Sequence, residues 1–398
     1  MEIQIEDSAN KIFTAIYQSS INVDVVVNAA LSRGIDQYQK GNYETSLEEF
    51  KRVAALSPNT ENAAKAYNFQ ALSYIRLGRT EDAINAYKSA IKISSSDDSL
   101  HISLGNVFFD LKRYDEAEKE YETAIKINSQ SITNWYSLGQ TYIETQKYEK
   151  AEDAFRKIIQ LSPQNYSGYY GLGKLSYKLG KYEEAIKYFQ KTLELKRDFN
   201  YAYVDIGYAY ADMGDIDSAK AQLKILNNLN DTDSASLLDS YIYQKSSPEF
   251  FAVYNTDGFI TTLGPNTSVS SLDPSLSQAG SSSLFTMNFI FNKDMDPASV
   301  RNIINWQISR APATSPGGGY NWGMPLAPTE ACLLPHPLYV IYNEDDLTAQ
   351  VIFQISQNSS ADATIDPSHI YFKFTGKDIY GNSMDDRADE FSGLSLIV

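Results

Sequence analysis

The chain has 398 residues, of which 43% are hydrophobic, so it is long enough for two or three domains with apolar cores. Fifty Asp and Glu against 34 Lys and Arg leave a net charge of −16, and a field of that sign argues against nucleic-acid and anionic-lipid partners. One cysteine excludes an intrachain disulfide and a cysteine-based metal site, and no apolar run reaches the ~20 residues of a membrane-inserted helix.

Residues 1–26 are predicted to form an N-terminal tail and a leading helix. Met1, Ile3 and Ile5 alternate with polar residues, which is a strand pattern placed ahead of a helical region. A strand pairs with the open edge of a sheet, and such an edge is expected only in the C-terminal part of the chain. Docking on the C-terminal part of a neighbouring subunit would propagate as a filament. The alternative is a frayed terminus.

An internal repeat of 34 residues follows the tail. Gly105, Gly139, Gly173 and Gly207 recur at this period, and alanines recur in a second phase from Ala83 to Ala219. Segments such as 133–146 and 148–161 carry apolar residues at helical spacing. A two-helix hairpin cannot bury its own apolar face, so we expect hairpins to stack, with the small residues where paired helices approach closely.

This pattern resembles the tetratricopeptide repeat. The copy at 132–165 matches it at Trp135, Leu138, Gly139, Tyr142, Ala151, Phe155 and Pro163. Six copies span residues 27–233, at about 27–60, 64–97, 98–131, 132–165, 166–199 and 200–233. Residues 234–247 continue as a predicted capping helix. The resemblance implies a helical solenoid that presents a groove to a protein or peptide.

In such arrays the first helix of each hairpin lines the groove, so the resemblance also implies candidate protein-binding residues. The outward positions are Asn68, Phe69, Ile102, Asn106, Phe109, Tyr136, Gln140, Tyr170, Lys174, Tyr177, Tyr201, Asp205 and Tyr208. The cluster of lysine, arginine and asparagine with which chaperone-binding members clamp a terminal carboxylate is not found. Two interpretations stay open: an aromatic binding groove, or packing of these tyrosines between helices.

Residues 248–398 are predicted to form a β-sandwich. Eleven of the thirteen prolines lie beyond residue 246. Short alternating runs occur at 250–254, 283–291, 337–342, 349–355 and 369–374. Met287, Phe289 and Phe291 fall on one face of their run, as expected for a half-buried strand. The predicted fold class is therefore an all-α solenoid followed by an all-β sandwich.

Two turn segments in this region resemble the bacterial Ig-like domain of surface-layer and other cell-surface proteins. Met295, Asp296 and Pro297 match its Phe-x-x-x-Met-Asp-Pro turn, and Asp378, Gly381 and Asn382 match its Lys-Asp-x-x-Gly-Asn loop. The insertion at 317–328 departs from that family. The resemblance implies placement outside the cell or on its surface. No basic start followed by an apolar stretch suggests a signal peptide, so cytoplasmic and periplasmic placement stay open.

No group of residues suggests catalysis, so we expect neither an active site nor a cofactor. Acidic clusters at Asp294 and Asp296, at 343–346 and at 385–390 are the material for a calcium site, but no twelve-residue calcium loop is present, which favours solvated acidic loops. The leading hypothesis is a structural protein of the bacterial cell surface that associates with itself head to tail, with Ile3 and Ile5 among the contacts. The alternative is an adaptor that binds a partner protein or peptide in its groove during envelope assembly or export.

Overall fold

The computed structural model describes residues 23–256, 259–314 and 318–393. In this part of the chain thirteen helices precede the β strands. Helix α1 is described over residues 23–39. The next twelve are α2 (Tyr43–Leu56), α3 (Glu61–Arg76), α4 (Thr80–Ile93), α5 (Asp98–Asp110), α6 (Tyr114–Ile127), α7 (Ile132–Glu144), α8 (Tyr148–Leu161), α9 (Tyr166–Lys178), α10 (Tyr182–Leu195), α11 (Asn200–Asp212), α12 (Ile216–Asn228) and α13 (Thr232–Lys245). None of the described helices is both long and apolar enough to cross a lipid bilayer.

Local chemistry explains where these helices begin and end. The side chains of Thr60, Asp97, Ser131 and Asn165 each accept a hydrogen bond from a backbone N–H in the first turn of α3, α5, α7 and α9. Gly78 and Gly180 end two of these helices with a φ of 72°, a left-handed conformation that glycine adopts without strain. The chain thus turns back after every first helix, and the elements form hairpins.

The recurring glycines are required by the packing within each hairpin. A Cβ built on Gly139 of α7 would lie 2.6 Å from the ring of Phe155 on α8, and one built on Gly105 would lie 2.5 Å from the ring of Tyr121. In both hairpins the aromatic residue follows the glycine by sixteen positions and is completely or almost completely buried. The prediction that small residues mark close helix approach is confirmed.

The chain divides into two compact units. The first comprises the described residues up to 209 together with 222–234. Within it, α5 contacts α7 and α7 contacts α9, so the first helices of successive hairpins touch each other as well as their own partners. This contact continues the apolar core from one hairpin into the next.

The second unit comprises residues 210–221 and the described residues from 235 onward. Its strands are β1 (Phe250–Asn255), β2 (Thr267–Ser268), β3 (Ser282–Phe291), β4 (Trp306–Arg310), β5 (Cys332–Leu333), β6 (Tyr339–Asn343), β7 (Thr348–Ser356), β8 (Thr364–Ile365), β9 (Ile370–Phe374) and β10 (Glu390–Ser392), and a short helix α14 covers Pro297–Arg301. The named strands pair antiparallel. A five-stranded sheet has the order β1-β3-β7-β5 with β6 also on β7, a three-stranded sheet has the order β10-β9-β4, and β2 pairs with β8.

Aromatic side chains from the two larger sheets form one core. Met287, Phe289 and Phe291 of β3 are all buried, as their alternation predicted. Phe289 lies 5.0 Å from the ring of Trp306 on β4 and 5.6 Å from that of Phe372 on β9, measured between ring centroids. The five predicted strands are present, whereas β4 and β10 and the two-residue strands were not predicted.

A buried lysine joins α13 to the β strands. The ammonium of Lys293 is 2.7 Å from a carboxylate oxygen of Asp378, and it donates to the carbonyl oxygens of Tyr243 (2.6 Å) and Ser246 (2.8 Å) at the end of α13. Lys293 is only 2% exposed. Because the last carbonyls of a helix have no partner inside the helix, these bonds satisfy groups that burial would otherwise leave unpaired.

Candidate functional site in the helical repeats

The first unit contains a cavity of about 480 Å³ built from three successive hairpins. We call it the aromatic pocket. Its lining residues are Ile132, Thr133 and Tyr136 of α7, Asn165 before α9, Tyr166, Ser167 and Tyr170 of α9, and Phe199 before α11. The pocket therefore lies on the first helices of the hairpins, which are the helices that line the groove according to the resemblance.

Four of the eight lining residues are aromatic. Phe199 lies 4.8 Å from the ring of Tyr170, edge to face, and 5.0 Å from that of Tyr166. Tyr170 also packs against Phe189 of α10, and Tyr136 against Phe155 of α8. Since the rings lean on the hairpin core, the wall is held in place before any ligand arrives.

The polar groups of the pocket are mostly engaged with each other. The hydroxyl of Tyr170 donates to Asp205 at 2.8 Å, and the ammonium of Lys174 lies 3.1 Å from the other oxygen of the same carboxylate. Gln140 donates to the hydroxyl of Tyr136 at 3.1 Å. The charge of Lys174 is thus balanced inside the protein by Asp205.

Burial raises the pKa of two pocket tyrosines, Tyr136 and Tyr170. It raises the pKa of Tyr136 to about 12. Burial, and after it the charge of Asp205, raises the pKa of Tyr170 far above its ordinary value. Both hydroxyls therefore stay neutral hydrogen-bonding groups throughout the physiological range. Lys196 adds a positive charge nearby, with its ammonium 4.8 Å from the ring centroid of Tyr166.

The structure brings together some of the predicted binding residues. Tyr136 and Tyr170 line the pocket, Gln140 and Lys174 are bonded to its walls, and the exposed Tyr201 lies 5.9 Å from the ring of Phe199. Two of the positions interpreted as outward are wrong: Ile102 is buried in the apolar core, and Asp205 is buried under its bonds to Tyr170 and Lys174.

The other predicted binding residues lie apart from the pocket. Asn106 accepts a hydrogen bond from Tyr121, Phe69 stacks on Phe50, Phe109 packs against Tyr114, Tyr177 packs against Tyr182, and Asn68 and Tyr208 are half-buried. Ile3 and Ile5 lie outside the described residues. Most of these side chains thus contact a neighbouring side chain and remain at least partly exposed.

Sequence reasoning missed the other half of the pocket. Tyr166 and Phe199 were not selected, although Ile132 and Tyr166 occupy the same position of consecutive repeats, the first residue of the first helix. Helical periodicity does not assign the first residue of a helix to one face, because that residue lies at the helix boundary. Among the described residues, no three His, Cys, Asp or Glu side chains are grouped so that they could hold a metal ion.

Family models for the tetratricopeptide repeat match most of the helical region. The matches cover residues 71–112, 105–145, 132–165, 166–199 and 201–230. These segments are tetratricopeptide repeats, as their spacing indicated. No curated protein matches the chain.

Solved structures of similar fold align with about half of the chain. A tetratricopeptide repeat protein from Parabacteroides merdae is 20% identical, with 55% of this chain and 85% of that one covered and a TM-score of 0.49. PilF from Pseudomonas aeruginosa is 18% identical over 55% and 99% of the two chains, with a TM-score of 0.44. MamA from Desulfovibrio magneticus is 20% identical over 44% and 97%, with a TM-score of 0.39.

Proposed function

We propose that this tetratricopeptide-repeat chain is a non-enzymatic scaffold that binds an apolar segment of another protein in the aromatic pocket. Tetratricopeptide repeats are protein-interaction modules, and stacked hairpins offer partners a continuous surface. The observation that carries the proposal is the convergence of Tyr136, Tyr166, Tyr170 and Phe199 on one cavity of about 480 Å³. Binding sites with apolar walls and few polar groups typically enclose about 300–1,000 Å³.

The electrostatics of the pocket favour an apolar ligand over a terminal carboxylate. A carboxylate clamp needs cations with open positions; here the ammonium of Lys174 already lies against Asp205, and that of Lys196 lies on the rings of Tyr166 and Phe199. Ring faces bind an aliphatic or aromatic side chain by burying its surface. We therefore propose a partner segment whose anchor is one large apolar side chain.

Selection from a displayed library of random peptides tests this function. Peptides enriched on the immobilised full-length chain are synthesised, and their affinities are measured by calorimetry. Tyr170→Ala and Phe199→Ala should each weaken binding about tenfold or more, as anchors in a buried pocket do. Tyr188→Ala, on the second helix α10 and outside the pocket, should leave affinity unchanged. Failure to enrich any peptide that is sensitive to the pocket variants overturns the proposal.

A second candidate function is self-association of the chain on the bacterial cell surface. It is favoured by β1, a terminal strand of the five-stranded sheet that exposes Phe251 and Tyr254. The turn segments at 291–300 and 376–385, which resemble bacterial Ig-like domains, support the surface placement. In this proposal residues 1–6 of one copy add a strand beside β1 of the next.

Deletion of residues 1–8 tests the second candidate. The segment carries Glu2, Glu6 and Asp7, and residues 246–398 carry 16 acidic against 6 basic side chains, so their charges repel. Salt screens that repulsion, and the contact should strengthen from 0.05 to about 0.5 M salt. Light scattering should show particles that the deletion abolishes. Particles of unchanged size after deletion would refute this route.

A further inference from the structure

The C-terminal unit carries an uncharged segment with exposed apolar side chains. No charged residue occurs from 318 to 329, a segment that we call the tryptophan loop. Three of its large side chains are mostly exposed: Trp322 by 66%, Met324 by 58% and Leu326 by 52%. Exposed apolar side chains are common singly, but three on one short segment mark an interaction site.

Buried groups hold this loop in an uncommon conformation. Asn321 and Trp322 have φ values of 50° and 57°, in the left-handed region that non-glycine residues rarely adopt. The backbone N–H of Asn321 donates to Asp366 at 2.9 Å, and Asp366 is fully buried. The ring of Trp322 meets that of His369 at 5.2 Å. The base of the loop is thus anchored while its apolar side chains face solvent.

The charges of the chain restrict which surface could receive the loop. The chain as a whole is acidic, and residues 246–398 hold 16 of its Asp and Glu residues against 6 Lys and Arg. The repeat at 166–199, which contributes Tyr166, Tyr170 and Phe199 to the aromatic pocket, is the most basic of the six, with seven Lys and Arg against four Asp and Glu. An acidic unit with an exposed apolar loop therefore complements this repeat in charge and in polarity.

We infer that the tryptophan loop of one copy docks in the aromatic pocket of a second copy, with Trp322 as the anchor. The inference rests on the proposed function of the pocket and names its ligand. Tryptophan is the residue most typical of buried interface anchors, and an anchored loop loses little conformational entropy on binding. Because the two surfaces differ, the contact is heterologous: the copy that donates its loop keeps a free pocket, and the copy that accepts it keeps a free loop.

Sedimentation velocity over a concentration series tests this contact on the full chain. The wild type should form species larger than a dimer, whereas Trp322→Ala and Tyr170→Ala should each remain monomeric at the same concentrations. Trp322→Gly is a second variant at this position, because glycine adopts the left-handed backbone without strain; it separates the loss of the side chain from an effect of backbone strain. Ile304→Ala removes another side chain that is 66% exposed in the same unit, and it should associate as the wild type does.

Mixing the two variants gives the sharpest result. Tyr170→Ala supplies an intact loop and Trp322→Ala an intact pocket, so an equimolar mixture should form a dimer and stop there. Raising salt to about 0.5 M should weaken this association because salt screens the attraction between the acidic unit and the basic repeat, whereas the contact of the N-terminal tail should strengthen with salt. A mixture that stays monomeric, or one that grows beyond the dimer, overturns the inference. If peptides selected as above still bind the pocket, the proposed function survives that failure.

Discussion

The contact between Lys293 and Asp378 allows a quantitative test of what holds α13 to the β strands. Lys293→Met keeps an unbranched, mostly apolar side chain but removes the ammonium, so Asp378 and the carbonyl oxygens of Tyr243 and Ser246 lose their donor. Removing one partner of a buried pair costs about 3–5 kcal/mol, because the other charge stays buried. We expect the lower end, since the backbone N–H of Asn382 still donates to Asp378.

Hydrogen exchange measured by mass spectrometry distinguishes a local loss of stability around Lys293 from a loss of stability in the repeats. In Lys293→Met, peptides from α13, β3 and the loop at 376–385 should exchange faster, whereas peptides from α3 to α8 should be unchanged. Glu344→Gln is the matched control, because Glu344 pairs with Arg301 at the surface, where an ion pair contributes about 0–1 kcal/mol. A loss of stability in Lys293→Met no larger than in the control would refute the reasoning.

The pairing of Lys293 with Asp378 also predicts that the stability of the protein depends on pH. Burial by itself would raise the pKa of Asp378, but hydrogen bonds from Lys293 and Asn382 outweigh it and hold the pKa below its ordinary value. The carboxylate therefore contributes stability above its unfolded-state pKa of about 4, and this is lost as pH falls through the folded-state value. Acid titration of stability should be less steep in Lys293→Met than in the wild type, and equal slopes would contradict this assignment.

Two further substitutions test the repeats. Gly139→Val would push a side chain into the ring of the buried Phe155 and should lower the free energy of unfolding by about 1–3 kcal/mol. Gly264→Val is the control, because no atom lies within 4 Å of the added Cβ, and it should not lower that free energy. Thermal unfolding followed by circular dichroism compares the two variants. Tyr170→Phe removes a hydrogen bond to a buried carboxylate and should cost about 1.5–3 kcal/mol in urea unfolding. The exposed Tyr201→Phe should change stability by no more than about 0.5 kcal/mol, and equal losses in the two variants would show that this bond contributes nothing.

The candidate site was predictable only in part. Tyr136 and Tyr170 follow from the resemblance to the tetratricopeptide repeat, which assigns both to the outward face of a first helix. Phe199 precedes its helix, and nothing in its neighbours in sequence reveals that it lies 4.8 Å from Tyr170. Asp205 shows the converse: its helical position points outward, yet two hydrogen-bond partners from the preceding repeat cover it.

The repeats and the buried faces of the main strands could be predicted from the sequence. Both depend on short-range physics: a 34-residue period fixes which side chains pack within a hairpin, and strict alternation fixes which face of a strand is apolar. The three-dimensional structure was needed to show the strand order, the pairing of Lys293 with Asp378 and the assembly of the aromatic pocket from three hairpins. These features join residues far apart in the chain, and their geometry depends on how whole elements pack, which no local pattern encodes.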